Sequence, residues 1–266
     1  MSRGQEQLVN PCNRWFSWAG STGELYYYDK ETKSKVKVET PFTFLLLDTL
    51  ATVKGYDEGS GKGIYSNEVR NTQEQKLNVR CGNETIAMGL YKEIKDKIVS
   101  KGGGYASSCY IAYKDESGNL RIGNILMSGS SLSGGTHKPA DKKLKDVEID
   151  GWLTFSKNNK GEIFKKAVTM TKDERMCVKG ATKYYAPKFK IVDITAETDN
   201  MAIALNKELQ AYLSEYFKKD FSEVKSEATE PKKESVDTFA GYEQRRPTTP
   251  SEPTMFADEE DGDLPF

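Results

Sequence analysis

From Cys12 to about Ile194 the chain is dominated by short runs that alternate apolar and polar residues, separated by Gly, Ser and Asn. Period-two alternation suits a pleated strand with one buried face, and closely spaced turn residues suit antiparallel neighbours. Cys12–Trp18 and Glu24–Tyr28 flank Gly20-Ser21-Thr22-Gly23, a hairpin signal. Lys33–Glu39 alternates strictly, with Val36 and Val38 on one face and Lys35, Lys37 and Glu39 on the other. Phe42–Leu50 is apolar enough for a buried central strand. Lys62–Arg70 and Lys76–Cys81 form a further pair, as do Tyr105–Tyr113 and Leu120–Met127 across Ser117-Gly118-Asn119. A Ser-, Gly- and Lys-rich loop runs over 128–145, and strands are predicted over Val147–Ser156, Glu162–Thr171 and Tyr184–Ile194.

The period changes twice. Ile86, Leu90, Ile94 and Ile98 recur every four residues, which predicts a helix over Thr85–Lys101 stopped by Gly102-Gly103-Gly104. A second helix is predicted over Met201–Lys219, with Leu205, Leu209, Tyr212, Leu213 and Tyr216 in its apolar stripe. Many short strands with two helices predict a mainly β, α+β chain built as an OB-fold-like β-barrel with embellishments. A β-sandwich is the competing architecture, and periodicity does not separate the two.

After Phe221 the patterning ends. Residues 223–266 hold five prolines and scattered apolar residues, too few to offset the entropy of ordering, so a disordered tail is expected there. Residues 1–222 form the expected folded domain. The overall net charge of −1 conceals an asymmetry: residues 223–266 carry 12 acidic and 5 basic side chains, whereas 1–222 carry 34 basic and 28 acidic. A basic body joined to an acidic tail points to a polyanionic partner.

Chemistry-bearing motifs are sparse. Cys12, Cys81, Cys109 and Cys177 are far apart in sequence and His137 is the single histidine, so no zinc-ligand spacing is present and buried free thiols in a reducing cytoplasm are expected. Gly59-Ser60-Gly61-Lys62-Gly63 lacks the Ser or Thr that a phosphate loop needs after its lysine. His137, between Thr136 and Lys138-Pro139, reads as a solvated loop residue. No acidic cluster suggests two-metal catalysis. A non-enzymatic chain without cofactor or metal is expected. The opening MSRGQEQLVNP has no apolar core of a secretory signal, and no run is long enough to span a bilayer.

What remains is aromatic and basic residues interleaved on strands. Unpaired bases stack on aromatic faces while Lys and Arg follow the phosphates. If Leu25 points into a core, Tyr26 and Tyr28 point out. Arg70, Lys76 and Arg80 likewise sit opposite their strands' apolar faces, and the interleaving itself adds Arg14, Trp15, Lys35, Lys37 and Tyr65 to the candidate DNA-binding residues. Roughly half the strand aromatics must serve the core instead.

The second feature is the run Asp258-Glu259-Glu260-Asp261-Gly262-Asp263-Leu264-Pro265-Phe266. Five of its nine residues are acidic, and an apolar pocket rimmed by Arg or Lys could take Leu264, Pro265 and Phe266 while the acids steer the encounter. This run resembles the tail of bacterial single-stranded DNA-binding proteins, which ends in acids followed by Pro-Phe. Replicative single-stranded DNA-binding proteins of tailed bacteriophages also carry acidic tails. The opening Asn10-Pro11-Cys12-Asn13-Arg14-Trp15-Phe16 and the segment Phe42–Leu50 resemble a divergent phage version, of the kind found in crAss-like phages of gut bacteria. The resemblance implies an OB-fold core, non-specific binding of single-stranded DNA in a host cytoplasm, and tail contacts with a polymerase, helicase or primase. Some phage relatives carry a zinc site, and this chain departs from them there. Self-association is compatible with the sequence. Strand annealing and recombination mediation form one alternative, and a protein-interaction or virion-associated β-domain another.

Overall fold

The computed structural model describes residues 9–141 and 143–218. The expected tail 223–266, and the candidate partner-binding residues 258–266 within it, lie outside the described residues. The described part is mainly β. In chain order, β1 (Arg14–Ala19), β2 (Glu24–Asp29) and β3 (Ser34–Val38) are followed by the sixteen-residue β4 (Phe42–Asp57). Next come β5 (Lys62–Ser66), β6 (Leu77–Cys81), β7 (Glu84–Gly89), α1 (Tyr91–Val99), β8 (Gly103–Lys114) and β9 (Leu120–Met127). A mixed segment follows: α2 (Ser130–Ser133), β10 (Gly134–His137), β11 (Val147–Asp150), α3 (Trp152–Asn158) and β12 (Ala167–Lys172). The order closes with β13 (Cys177–Lys179), β14 (Thr182–Tyr184), β15 (Pro187–Val192) and α4 (Ala196–Tyr216).

One large sheet runs β3-β2-β1-β9-β8-β4-β5-β6-β7, antiparallel except where β1 lies parallel to β9. The first residues of β4 also pair with β12, which pairs with β15. The sheet is open: among the described residues no ladder joins β3 to β15, so the closed barrel expected from the strand count is not formed. A small second sheet, β11-β10-β13-β14, stands apart from it.

The long β4 and β8 serve two cores on one face. Phe16, Leu25, Phe44, Ile111, Ile125 and Met127 pack with Trp152 around the first half of β4. Val53, Ile64, Leu77 and Val79 pack with Ile94 and Ile98 of α1 around the second half. On the opposite face, Leu209 and Leu213 of α4 cover Leu45, Leu47, Tyr110 and Ile122. Between Leu46 and Asp48 the pairing of β4 with β8 shifts by one residue, a β-bulge.

The structure corrects several sequence expectations. Among the described residues four helices are present where two were expected. Ile86 belongs to β7, and α1 begins only after Leu90, whose backbone N–H donates to the Glu93 carboxylate at 3.0 Å. The helix gives way to Gly102 at φ 86°, a conformation that favours glycine. The strand expected over Val147–Ser156 breaks at Gly151, which lies against the Gly134 backbone so closely that a Cβ on either would meet main-chain atoms within 2.5 Å. That crossing turns the chain and delivers Trp152 into the first core at the head of α3. His137 sits on β10 and its Nδ1 bonds the Met176 carbonyl at 2.8 Å, so it is not a solvated loop residue. The four cysteines are buried free thiols. Among the described residues, no His, Cys, Asp or Glu group could hold a metal, and no helix is long and apolar enough to cross a membrane.

A polar network lies beneath α4. The Glu68 carboxylate accepts from the Ser108 hydroxyl and from the Tyr110 hydroxyl at 2.6 Å, and its backbone N–H donates to Tyr216 Oη at 2.9 Å. Burial raises the Glu68 pKa, against the two donors that lower it. The folded state therefore favours the protonated acid. Its contribution to stability is complete below the unfolded carboxyl pKa and is lost as pH rises through the higher folded value. Denaturation midpoints of the wild type are expected to carry a component that falls with rising pH above about 4, and Glu68→Gln to lack that component. Identical pH profiles for the two proteins would show that Glu68 ionises freely in the fold.

Candidate nucleic-acid interface

The alternation that fills the first core also builds a second surface. On β1, Phe16 and Trp18 enter the core, which turns Trp15 and Ser17 to the other face. On β2, Leu25 and Tyr27 pack on the core, which turns Glu24, Tyr26 and Tyr28 outward. Ser17 pairs with Tyr26, which pairs with Lys37, and Tyr28 pairs with Lys35. Cations already rest on these rings: Lys35 Nζ lies 4.9 Å from the Tyr26 centroid and Lys30 Nζ 5.5 Å from that of Trp15. Trp15 is 43% exposed, whereas Trp18 and Trp152 are buried. Lys37 meets Glu24 at 2.9 Å in an exposed pair, worth little in water.

The same face continues across the sheet. Lys54 of β4 pairs with Tyr65 of β5, which pairs with Arg80 of β6. Lys54 Nζ donates to Ser17 Oγ at 2.9 Å, reaching over the two intervening strands β8 and β9. That reach requires the sheet to be curled so that this part of the face is concave. Burial, and secondarily the positive charge of Lys35, push the Lys54 pKa down to about 8. The Tyr65 hydroxyl donates to the Gly82 carbonyl at 2.6 Å, which fixes its ring. Aromatic faces and cations thus occupy this face on β1 to β3 and again on β4 to β6, on either side of β9 and β8 and beside the area that α4 covers.

No protein-family model, curated protein or solved structure matches the chain.

The site consequently stands on its own geometry. Of the residues expected from sequence, Trp15, Tyr26, Tyr28, Lys35, Lys37, Tyr65 and Arg80 fall on this face. Arg14 does not: it shares the side of Phe16, stacks on Tyr27 at 4.2 Å and makes a two-pronged bond to Glu116 at 2.6 and 3.0 Å. Arg70 is also elsewhere, bound to Asp48 at 3.0 Å and to Gln210 of α4, with its guanidinium over Phe217. It fastens the helix to the sheet. Lys76 lies exposed just ahead of β6. Sequence reasoning missed Lys54, because β4 was expected to end at Leu50. The alternation Ala51, Thr52, Val53, Lys54 was the available signal. A cavity of about 230 Å³ beside Phe155 and Phe189 offers a mixed lining in which Asp173 and Arg175 bond each other at 2.6 Å, a poor match for a polyanion.

Proposed function

We propose that this chain binds single-stranded DNA without sequence preference along the aromatic and basic sheet face, in a coating role during replication, recombination and repair. Binding, and not catalysis, is the role assigned to it. The observation that carries this is the exposed Trp15 ring beside Tyr26 and Tyr28, on a concave face whose nearest cations are Lys30, Lys35, Lys37 and Lys54. Stacking tolerates any base, and the lysines meet the backbone. The OB-like character belongs to the same proposal: a strongly curled, partly open sheet presenting one face to a strand is how such domains take single strands. The acidic segment of 223–266, opposite in sign to the body, is assigned the recruitment of a polymerase, helicase or primase.

The test is a titration of the full chain with oligothymidylate and with duplex DNA at several salt concentrations. If Lys37, Arg80 and the pair Lys35 and Lys54 together neutralise three phosphates, the log–log salt slope for single strands is about −2, a roughly twentyfold loss of affinity from 50 to 200 mM. Preference for single strands over duplex is expected at every salt concentration. No gel shift and no tryptophan quenching at low salt would overturn the proposal and leave a protein-interaction role.

A further inference from the structure

Lys54 is placed unlike any other cation of the face. Its side chain lies across the sheet surface, with Nζ held by Ser17 Oγ at 2.9 Å. Ser17 pairs with Tyr26, and Lys35 Nζ stands 4.9 Å above the Tyr26 ring. The ladder therefore brings the ammonium groups of β4 and β3 toward each other over one hydroxyl and one ring, close enough for Lys35 to disfavour the charge on Lys54. Convergence of two like charges is unfavourable by itself, and an anion between them converts repulsion into two attractions. The neighbours of this row on β9 and β8 are Leu126, opposite Ser17, and Gly104, opposite Lys54. Beyond Lys54 stand Tyr65 and Arg80, and beyond Tyr26 stands Lys37. Glu24 is two residues from Tyr26 on the same face and is engaged by Lys37 at 2.9 Å.

We propose that Lys54 and Lys35 form a seat for one phosphate group, with the Ser17 hydroxyl and the Tyr26 ring as its floor. Resting on the proposed function, the occupant is a phosphodiester of the bound strand, whose flanking bases then lie within reach of Trp15 and Tyr28 on one side and Tyr65 on the other. Two cations on one phosphate make this the point at which the strand is fixed, and the stacking rings give the rest of the contact its tolerance. Occupation requires Lys54 in its ammonium form, so binding above about pH 8 must take up a proton.

The experiment is NMR of the full chain carrying ¹³Cε-lysine, with the Lys54 signal assigned by its loss in Lys54→Arg. Its titration is followed alone, with inorganic pyrophosphate, and with a fifteen-nucleotide oligothymidylate. The expected result is an upward shift of the Lys54 titration with both anions. Affinity for the oligonucleotide should also fall roughly thirtyfold more from pH 7 to 9.5 in the wild type than in Lys54→Arg, which keeps its charge. An unmoved Lys54 titration with both anions overturns the seat. If oligothymidylate quenches Trp15 while Lys54 is unmoved, the seat falls and single-strand binding stands. If pyrophosphate moves Lys54 while the oligonucleotide binds nowhere, the seat stands and the proposed function falls.

Discussion

Replacing Trp15 by alanine is expected to weaken binding of single-stranded DNA roughly five- to 150-fold, corresponding to about 1–3 kcal/mol for one stacked base. The same substitution should abolish the fluorescence response to poly(dT). Three tryptophans are present, but Trp18 is 6% exposed with its Nε1 bonded to the Tyr185 carbonyl, and Trp152 is 1% exposed. A base cannot reach either of these without unfolding. Trp15→Phe keeps a stacking face and should retain most of the affinity while losing the signal. The substitution touches little else, because Trp15 faces away from the first core, so its stability should stay close to that of the wild type. Alanine at Trp15 with unchanged affinity would remove β1 from the interface.

Trp152→Ala is expected to cost about 3–5 kcal/mol of stability, read as a lower midpoint in urea denaturation at an unchanged m-value. The indole packs against Phe44, Phe155 and Phe189, with ring centroids 6.2, 5.9 and 5.3 Å away. It is among the largest fully buried side chains, and it closes the part of the first core that lies between β4 and β15. The cavity left by alanine has little means of collapse, since the chain entering α3 is fixed by the contact of Gly151 with the Gly134 backbone. A loss below about 1 kcal/mol would show that α3 packs loosely and that the open sheet is stable without it.

The residues that made the strands legible also explain where the sequence misled. Alternation in Glu24–Tyr28 and in Lys33–Glu39 gave the correct faces, because each strand has one side on a core and the other on solvent. Arg14 stands out in the sequence only as a cation next to Trp15, and that signal failed. Its alternation places it beside Phe16, and only the fold reveals that Glu116, more than a hundred residues away, is waiting for it. Arg70 failed for the same reason, since its partners Asp48 and Gln210 come from β4 and α4. Long-range ion pairs leave no local trace in a sequence. Ile86 extended a four-residue rhythm that α1 does in fact follow from Leu90 onward, but a hairpin strand claimed it first through Val79 and Ala87. At Gly151 the pattern Val147, Ile149 reads as a strand that could run on, and the stop is set by backbone contact with Gly134, which no periodicity records. The open sheet could not be read at all, because closure depends on whether the outermost strands meet.

The bulge in β4 has a wider meaning. Counting by twos from Phe42 through Phe44 and Leu46 assigns every even-numbered residue to the core, and by that count Lys54 would be driven into it among Val53 and Ile64. The single extra residue between Leu46 and Asp48 inverts the phase. From there on Ala51 and Val53 point inward, and Lys54 emerges beside Ser17. One inserted residue thus lets a single strand line two cores on the same side and still deliver a cation to the other, so the length of β4, as much as its composition, determines where its charge is displayed.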